Sequence, residues 1–515
     1  MKATFGFEAA KRDVPVEYDT SVLLNGHGVV LGVSGTGKSF TIKKFIRHCL
    51  ATLAPGKKLR IHVLDVHGDI DIEGASEVMF SETSPYGFVN PLKLNPDPDF
   101  GGVRKQIQGL VSTMNSVMPR LGGKQEACLR NILTDLYANR GFDPDDSATW
   151  NVDDERERYL NDGKDRLYID VPRAEKDEAK ALGARWDPAV FCWWVTPRSY
   201  AGDIKRWPPK MMPGVSPTVE DAVQLARGLL VESFMGSDEA GIVALNEFNS
   251  AASQYQKAVL AAIRKGGQHS DHDDLLEGLE KKKATAIERF TKYVESVRTG
   301  HELEKLMKYD STDVLKSVLD RLENLKAMGL FKSVAAPFRE DVVVWRYKMN
   351  ALLLHERRLA GLFKMQEIFL NSVQRGEVDD VQEIIIADEA HIYADDDSDN
   401  ILAKIGFEGR KFGLALVAVA QSPKSLPEDF IKMCGTKVIL GIDESEWRAA
   451  ATRFRVEERA LAWTRPREKM LVQLKRKGHS KNDWIWTIIA DPLEADGRVE
   501  ASSVSVACDD TSTVG

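Results

Sequence analysis

Cysteine is scarce in this chain: five residues in 515 (Cys49, Cys128, Cys192, Cys434 and Cys508), scattered and never in a C-x-x-C pair. That pattern argues against a disulfide framework and against a structural zinc site. Long apolar runs are missing too, and none approaches the ~20 residues that a membrane-spanning helix requires. The N-terminus lacks the basic, apolar and small-residue succession of a secretory signal, so a cytoplasmic location is the expectation. Nor is there an excess of basic charge. The formal net charge is −8, so a nucleic-acid partner would have to be met by a local patch. No internal repeat of solenoid length is found, and low-complexity sequence is limited to short acidic and Ser/Thr pieces. What remains is ordinary for a folded protein, with 43% hydrophobic and 29% charged residues. The length calls for roughly two to four domains.

Against that background one stretch stands out. Gly32-Val33-Ser34-Gly35-Thr36-Gly37-Lys38-Ser39 fits the phosphate-loop pattern G-x-x-x-x-G-K-[ST]. Val29 to Leu31 before it has the composition of a buried parallel strand, and Phe40 to Leu50 after it reads as a helix. Glycines let successive backbone N–H groups curl around phosphates, and the helix start adds partial positive charge. Gly32, Ser34, Gly35, Thr36, Gly37, Lys38 and Ser39 are therefore the expected ATP-binding residues. Lys38 can reach the β- and γ-phosphates, and the Ser39 hydroxyl can ligate Mg²⁺.

The rest of the chain is read relative to this loop. Residues 1 to 28 are too few for a domain and are expected to form one strand and a lead-in. Leu59 to Val66 predicts a second strand ending in Asp65-Val66-His67-Gly68-Asp69, where Asp65 or Asp69 either helps hold Mg²⁺ or simply belongs to a strand-end turn. Residues from about 100 to 160 and from 218 to 335 show apolar positions three and four apart and predict helices. Between them lies a dense aromatic cluster, Trp186, Phe191, Trp193 and Trp194, which predicts a small α+β module over residues 165–209. Its tryptophans are expected to form a core rather than to stack on bases. Lys281 to Lys283, with Lys292 and Arg298, make the most basic helical face, read as solvated surface. Gly266 to Asp274 reads as a flexible loop and 494–515 as a flexible tail.

A second anchor is Glu383 to Ala390 (EIIIADEA), a buried strand followed by two acids, which is the Walker B arrangement. Asp388 is the expected metal residue and Glu389 the residue that polarises the attacking water. Leu414 to Ala420 predicts another buried strand, ending in Gln421, a candidate sensor of the γ-phosphate or the water. Lys437 to Ile442 predicts one more. Arg410, just before the Leu414 strand, is either an arginine finger for a neighbouring subunit or an exposed turn residue.

Taken together, GVSGTGKS, the DVHGD turn, IIIADEA and EGRKFGLALVAVAQSPKSLPEDFIKMCGTKVILGI resemble the HerA/FtsK superfamily of hexameric ATPases, in its HerA and conjugation-ATPase branch; RLENLKAMGLF fits as well. The resemblance covers residues 21–95 and 310–490. It implies an α/β fold with a RecA-like P-loop NTPase core, split into residues 1–95 and 310–493. An α-helical insertion (96–309) would lie between the two parts and carry the small module. It further implies a homohexamer with ATP at subunit junctions and pumping of a polymer, usually duplex DNA. Carried over by motif position, Lys38 and Ser39 bind nucleotide and metal, Asp388 binds metal, Glu389 is the base, Arg410 acts in trans and Gln421 is the sensor. HerA proteins usually carry an N-terminal β-barrel, which 28 residues cannot supply. The long separation of Lys38 from Asp388 resembles the conjugation-type ATPases instead. Two expectations follow. One is a duplex-DNA translocase working with a separate nuclease or other effector in mobile-element or defence biology; the other is an assembly or gating ATPase for a transfer machine or partner effector, with no DNA substrate.

Overall fold

Strands covered on both faces must be apolar throughout, and two segments meet that condition: β3 (Gly28–Gly32) and β11 (Phe412–Ala420) are buried at every position. They lie side by side and parallel at the centre of an eleven-stranded sheet. The computed structural model describes residues 1–160, 164, 166–210, 212–235, 239–264, 272–296, 308–394, 400–479, 482–491 and 493. The loop expected at Gly266 to Asp274 lies mostly outside these residues, and Arg298, Cys508 and the tail at 494–515 lie wholly outside them.

The chain divides into two units. The first takes residues 1–79 and those from 338 onward, and the second takes residues 80–337. In the first unit, the other strands are β1 (Lys2–Glu8), β2 (Pro15–Asp19), β4 (Arg60–Asp65), β5 (Ser76–Met79), β9 (Val344–Lys348), β10 (Val378–Ala387), β12 (Thr436–Gly441), β13 (Lys469–Leu474) and β14 (Trp484–Ile489). The order is β2-β1-β14-β13-β12-β3-β11-β10-β4-β9-β5. From β12 to β5 every neighbouring pair is parallel. From β12 back to β2 every pair is antiparallel.

This order has a direct consequence. The carboxyl ends of β3, β11, β10 and β4 come to one sheet edge, so the segments that follow them are brought together there. A ligand site belongs at such an edge, where the strand order departs from the sequence order. Residues 1 to 28 depart from the single strand expected of them: they form two strands. Val16 and Tyr18 of β2 and Ala3 and Phe5 of β1 are buried. β1 then pairs with β14 near the other end of the described chain, a pairing that no local pattern announces.

In the second unit the expected helices are present. Gly123–Asn139, Val219–Met235 and Thr312–Ala327 pack on one another. Thr312–Ala327 buries Leu315, Val318, Leu319, Leu322 and Leu325, and that stripe is why the unit extends to residue 337, past the boundary expected at 309/310. Glu239–Arg264 and His272–Ser296 pair as long helices. The basic face of the latter is matched by acids: Lys281 lies 2.8 Å from Glu277, Lys283 3.6 Å from Glu280 and Lys292 3.7 Å from Glu247.

The small module is a three-stranded antiparallel sheet, β6 (Leu167–Ile169), β8 (Cys192–Val195) and β7 (Arg185–Asp187), with a short helix at Lys176–Ala181. Trp207 is buried with Ile169, Val195 and Ile204, and Trp193 packs against them. Trp194 packs against a second cluster around Tyr168 and Cys192. Trp186 and Phe191 are exposed. Among the described residues no helix is long and apolar enough to cross a membrane, and the described cysteines are free and buried.

A packing prediction follows from the helix Leu354–Arg375. A Cβ added at Gly361 would lie 2.2 Å from Cε1 of Tyr393, which is itself fully buried. Ala is favoured over Gly in a helix by about 1 kcal/mol, but overpacking a tight core costs about 1–3 kcal/mol. Gly361→Ala should therefore lower the thermal midpoint; an unchanged or raised midpoint would mean that the Tyr393 ring has room to move.

Candidate nucleotide and metal site

The phosphate loop leaves β3 and is held by its own backbone chemistry. Gly35 and Gly37 have φ of 82° and 99°, a region where only glycine is unstrained. At Gly32 a Cβ would meet the Thr36 hydroxyl oxygen at 2.4 Å. That hydroxyl donates to the Val33 carbonyl at 2.7 Å, and the Val33 N–H donates to the Gly441 carbonyl at the end of β12, at 3.0 Å. The helix Lys38–Ala51 begins at once, with no side-chain cap and no acid in its first turn. Its leading N–H groups are thus left without a side-chain acceptor, which suits a phosphate. Ser34 and Gly35 are exposed at the loop's rim.

Two strands away, β10 ends at Ala387 and delivers Asp388 and Glu389. The Asp388 N–H donates to the Leu64 carbonyl of β4 at 3.2 Å. Glu389 takes φ 46° and ψ 48°, a left-handed conformation uncommon for a residue with a Cβ and concentrated at functional sites. Gln421 follows β11, the strand between β3 and β10, and its amide donates to Glu389 Oε1 at 2.8 Å. Lys38 Nζ lies 3.9 Å from the same oxygen and His67 Nε2 3.4 Å from it. His391 Nδ1 lies 3.1 Å from Glu389 Oε2. Burial pushes the Glu389 carboxyl up, but the nearby His391 ring, the Gln421 amide and the charge of Lys38 outweigh it and hold the group at about 2; Oε2 itself has no hydrogen-bond partner.

Asp388 behaves in the opposite way. It is buried, and its Oδ2 has no hydrogen-bond partner. Burial, then the charge of Glu389, then Asp65 and Asp69 raise it to about 7, with His67 opposing. Asp65, Asp69 and Asp388 each offer an oxygen, all within 4.8 Å of one another. The Ser39 hydroxyl donates to Asp69 Oδ2 at 2.7 Å. An all-oxygen set with a buried, unpartnered carboxylate suits a hard divalent cation, and Mg²⁺ beside a phosphate chain fits it.

The two acids of the DVHGD turn differ. Asp65 is fully buried and accepts from the N–H groups of Gly68 (2.7 Å) and Ile70 (3.2 Å) and from Arg346 Nε (2.8 Å). Its oxygens are occupied in holding the turn, whereas Asp69 is exposed beside Ser39. Arg346 is 2% exposed. It also donates to Asp71 (3.2 Å), Glu77 (2.8 Å) and the Gly68 carbonyl (2.9 Å). Arg346, His67 and His391 escape a motif reading. The two histidines adjoin motif residues, so adjacency was the available signal; Arg346 carries none, since it lies on β9, far along the chain.

Arg410 is not brought to this site. It is exposed in the turn Gly409–Lys411, before β11, whereas Gln421 follows that strand. Nine residues of strand span about 30 Å, so Arg410 stands at the opposite edge of the sheet.

Comparison with known proteins finds likenesses in sequence and in fold. Residues 4–98 match the family described as "Helicase HerA, central domain", and residues 166–209 match a domain of unknown function, DUF5710. A 63-residue stretch is 43% identical to the DNA double-strand break repair helicase HerA of Pyrococcus furiosus, covering 12% of this chain and 11% of that protein. Another, of 43 residues, is 51% identical to the DNA primase TraC of Escherichia coli, covering 8% of this chain and 3% of that protein. The matched stretches thus span only a small part of those relatives. VirB4 of Thermoanaerobacter pseudethanolicus has a similar fold, with a TM-score of 0.53 at 13% identity over 96% of this chain and 97% of that one.

Removing one partner of a buried ion pair leaves the other charge uncompensated, at a cost of about 3–5 kcal/mol. Arg346→Ala should lose about that much in urea unfolding, because Asp65 stays buried. A loss below about 1 kcal/mol, the range of exposed pairs, would show that the arginine does not hold the turn.

Proposed function

Because the chain is a member of the HerA/FtsK-like superfamily of P-loop ATPases, we propose that it is an ATP-hydrolysing motor that energises or gates a conjugation- or secretion-type transfer machine. The observation carrying this reading is the fold likeness to VirB4, which extends over 96% of this chain and so takes in both units. The family model for the HerA central domain matches residues 4–98, which hold the phosphate loop, and the stretch shared with a HerA helicase is 63 residues long.

In the proposed mechanism Lys38 binds the β- and γ-phosphates and the loop N–H groups cradle the chain of phosphates. Ser39 and Asp388, with Asp69 beside them, would hold Mg²⁺, whose chemistry is to neutralise the phosphate charge. Glu389 takes the proton of the attacking water, and Gln421 holds the Glu389 carboxylate in place for it. Lys38 Nζ lies 3.9 Å from Glu389 Oε1; a triphosphate would compete for that lysine and leave Glu389 to the water. Arg410, on the far edge of the sheet, would serve a neighbouring subunit in a ring of six. That arrangement would make hydrolysis depend on assembly.

A second reading, translocation of duplex DNA alongside a separate nuclease, is favoured by the HerA stretch. Steady-state hydrolysis with and without linear duplex DNA separates the two. Stimulation by duplex that falls as salt rises would favour translocation; indifference to duplex would favour gating. Glu389→Gln should still bind ATP and hydrolyse it about 10²–10⁴-fold more slowly. Wild-type turnover no faster than this variant would sink both readings. Arg410→Ala should bind ATP and yet lose turnover in assembled rings, and full activity there would remove its role in trans.

A further inference from the structure

The phosphate loop has a second cationic neighbour in the same chain, one that no motif marks. After the helix Glu458–Trp463 the chain makes a turn closed by backbone hydrogen bonds between Arg465 and Lys469, and then enters β13. Thr464, at the start of the turn, is buried, and its hydroxyl donates to the Leu461 carbonyl at 2.7 Å. Arg467 sits at the tip. It has φ 60°, a left-handed conformation where glycine or asparagine would be unstrained and arginine is not. Its Cγ lies 3.2 Å from where a Cβ on Gly37 would stand, so the side-chain stem runs against the phosphate loop itself. The residue is exposed, and no hydrogen bond or ion pair of its side chain is found among the described residues.

A strained, unpaired arginine pressed against a loop that already carries Lys38 is hard to explain by the protein's own contacts. Two cations at one loop repel unless an anion lies between them. The loop's backbone N–H groups belong to the α- and β-phosphates, while Lys38 reaches toward the γ-phosphate. We infer that Arg467 is a nucleotide-binding residue, bringing its guanidinium onto the α- and β-phosphates from the turn that abuts Gly37. The inference rests on the ATP-site reading above. It also accounts for the fixed turn, since a guanidinium forks onto phosphate oxygens only when its stem is positioned.

The test is equilibrium binding of ATP and of ADP with Mg²⁺ by titration calorimetry, on wild type, Arg467→Gly, Arg467→Lys and Lys38→Ala, each checked by thermal melting. Glycine removes the guanidinium and at the same time relieves the backbone, so Arg467→Gly should melt no lower than wild type. Its affinity for ATP and for ADP should each fall about tenfold, as loss of a charge-assisted contact predicts. Arg467→Lys should recover part of the loss. The maximal rate at saturating ATP should stay within about twofold of wild type, the mark of a binding contact made equally before and during the reaction. Unchanged affinity in Arg467→Gly would overturn the inference, and so would a loss for ATP alone, which would place the side chain on the γ-phosphate. Failure of the underlying reading looks different: wild type would then bind no nucleotide, or Lys38→Ala would bind as well as wild type.

Discussion

A buried carboxylate oxygen with no hydrogen-bond partner sets the terms of the sheet edge in the first unit. Asp388 is withdrawn from water beside Glu389, Asp65 and Asp69, and four carboxylates so close cannot all stay charged without a cation. Everything around them manages that repulsion. Asp65 pairs with Arg346 and accepts from backbone N–H groups, while Lys38, Gln421, His67 and His391 surround Glu389. Asp388 Oδ2 is left without a hydrogen-bond partner, as is Glu389 Oε2.

The parallel sheet makes this concentration of charge achievable. Seven neighbouring strands run in one direction, so the loops after β3, β4, β10 and β11 meet at a single edge while the apolar strands between them stay dry. The same order sends Arg410 to the opposite edge, because it precedes β11 instead of following it. Arg410 and the residues gathered around Glu389 are thus separated by which end of a strand they occupy. The left-handed backbone at Glu389 and the tight approach of Gly361 to Tyr393, just after it, show how firmly this edge is packed.

Legibility in the sequence varied with how local the cause was. The glycines of the phosphate loop, the runs of isoleucine and alanine in β10 and β11, and the acids after Ala387 are local patterns, and they were readable as such. The aromatic cluster announced a module. It did not say which tryptophans would be inside; burial of Trp207 and exposure of Trp186 depend on how β6, β7 and β8 register. Two strands form near the N-terminus where one was expected, because β2 pairs with β1 and β1 is held by β14, hundreds of residues away. Arg346 carries no motif at all, and only its place on β9 beside β4 makes it the clamp of the DVHGD turn.

By itself the sequence determined the chemistry on offer: a phosphate loop, a buried strand with two acids, a strand-end glutamine, and too little cysteine or continuous apolar length for a disulfide, zinc or membrane-spanning design. These follow from short-range spacing, since period and residue type are properties of neighbouring positions. Tertiary structure alone decided which of these groups meet. Strand order brought Gln421 and Lys38 to one oxygen of Glu389, buried Asp65 and left Asp69 exposed beside Ser39, turned His67 and His391 onto Glu389, and brought the Arg467 turn against Gly37. Such contacts join residues far apart in the chain, and they form because burying the central strands leaves the chain few ways to order them.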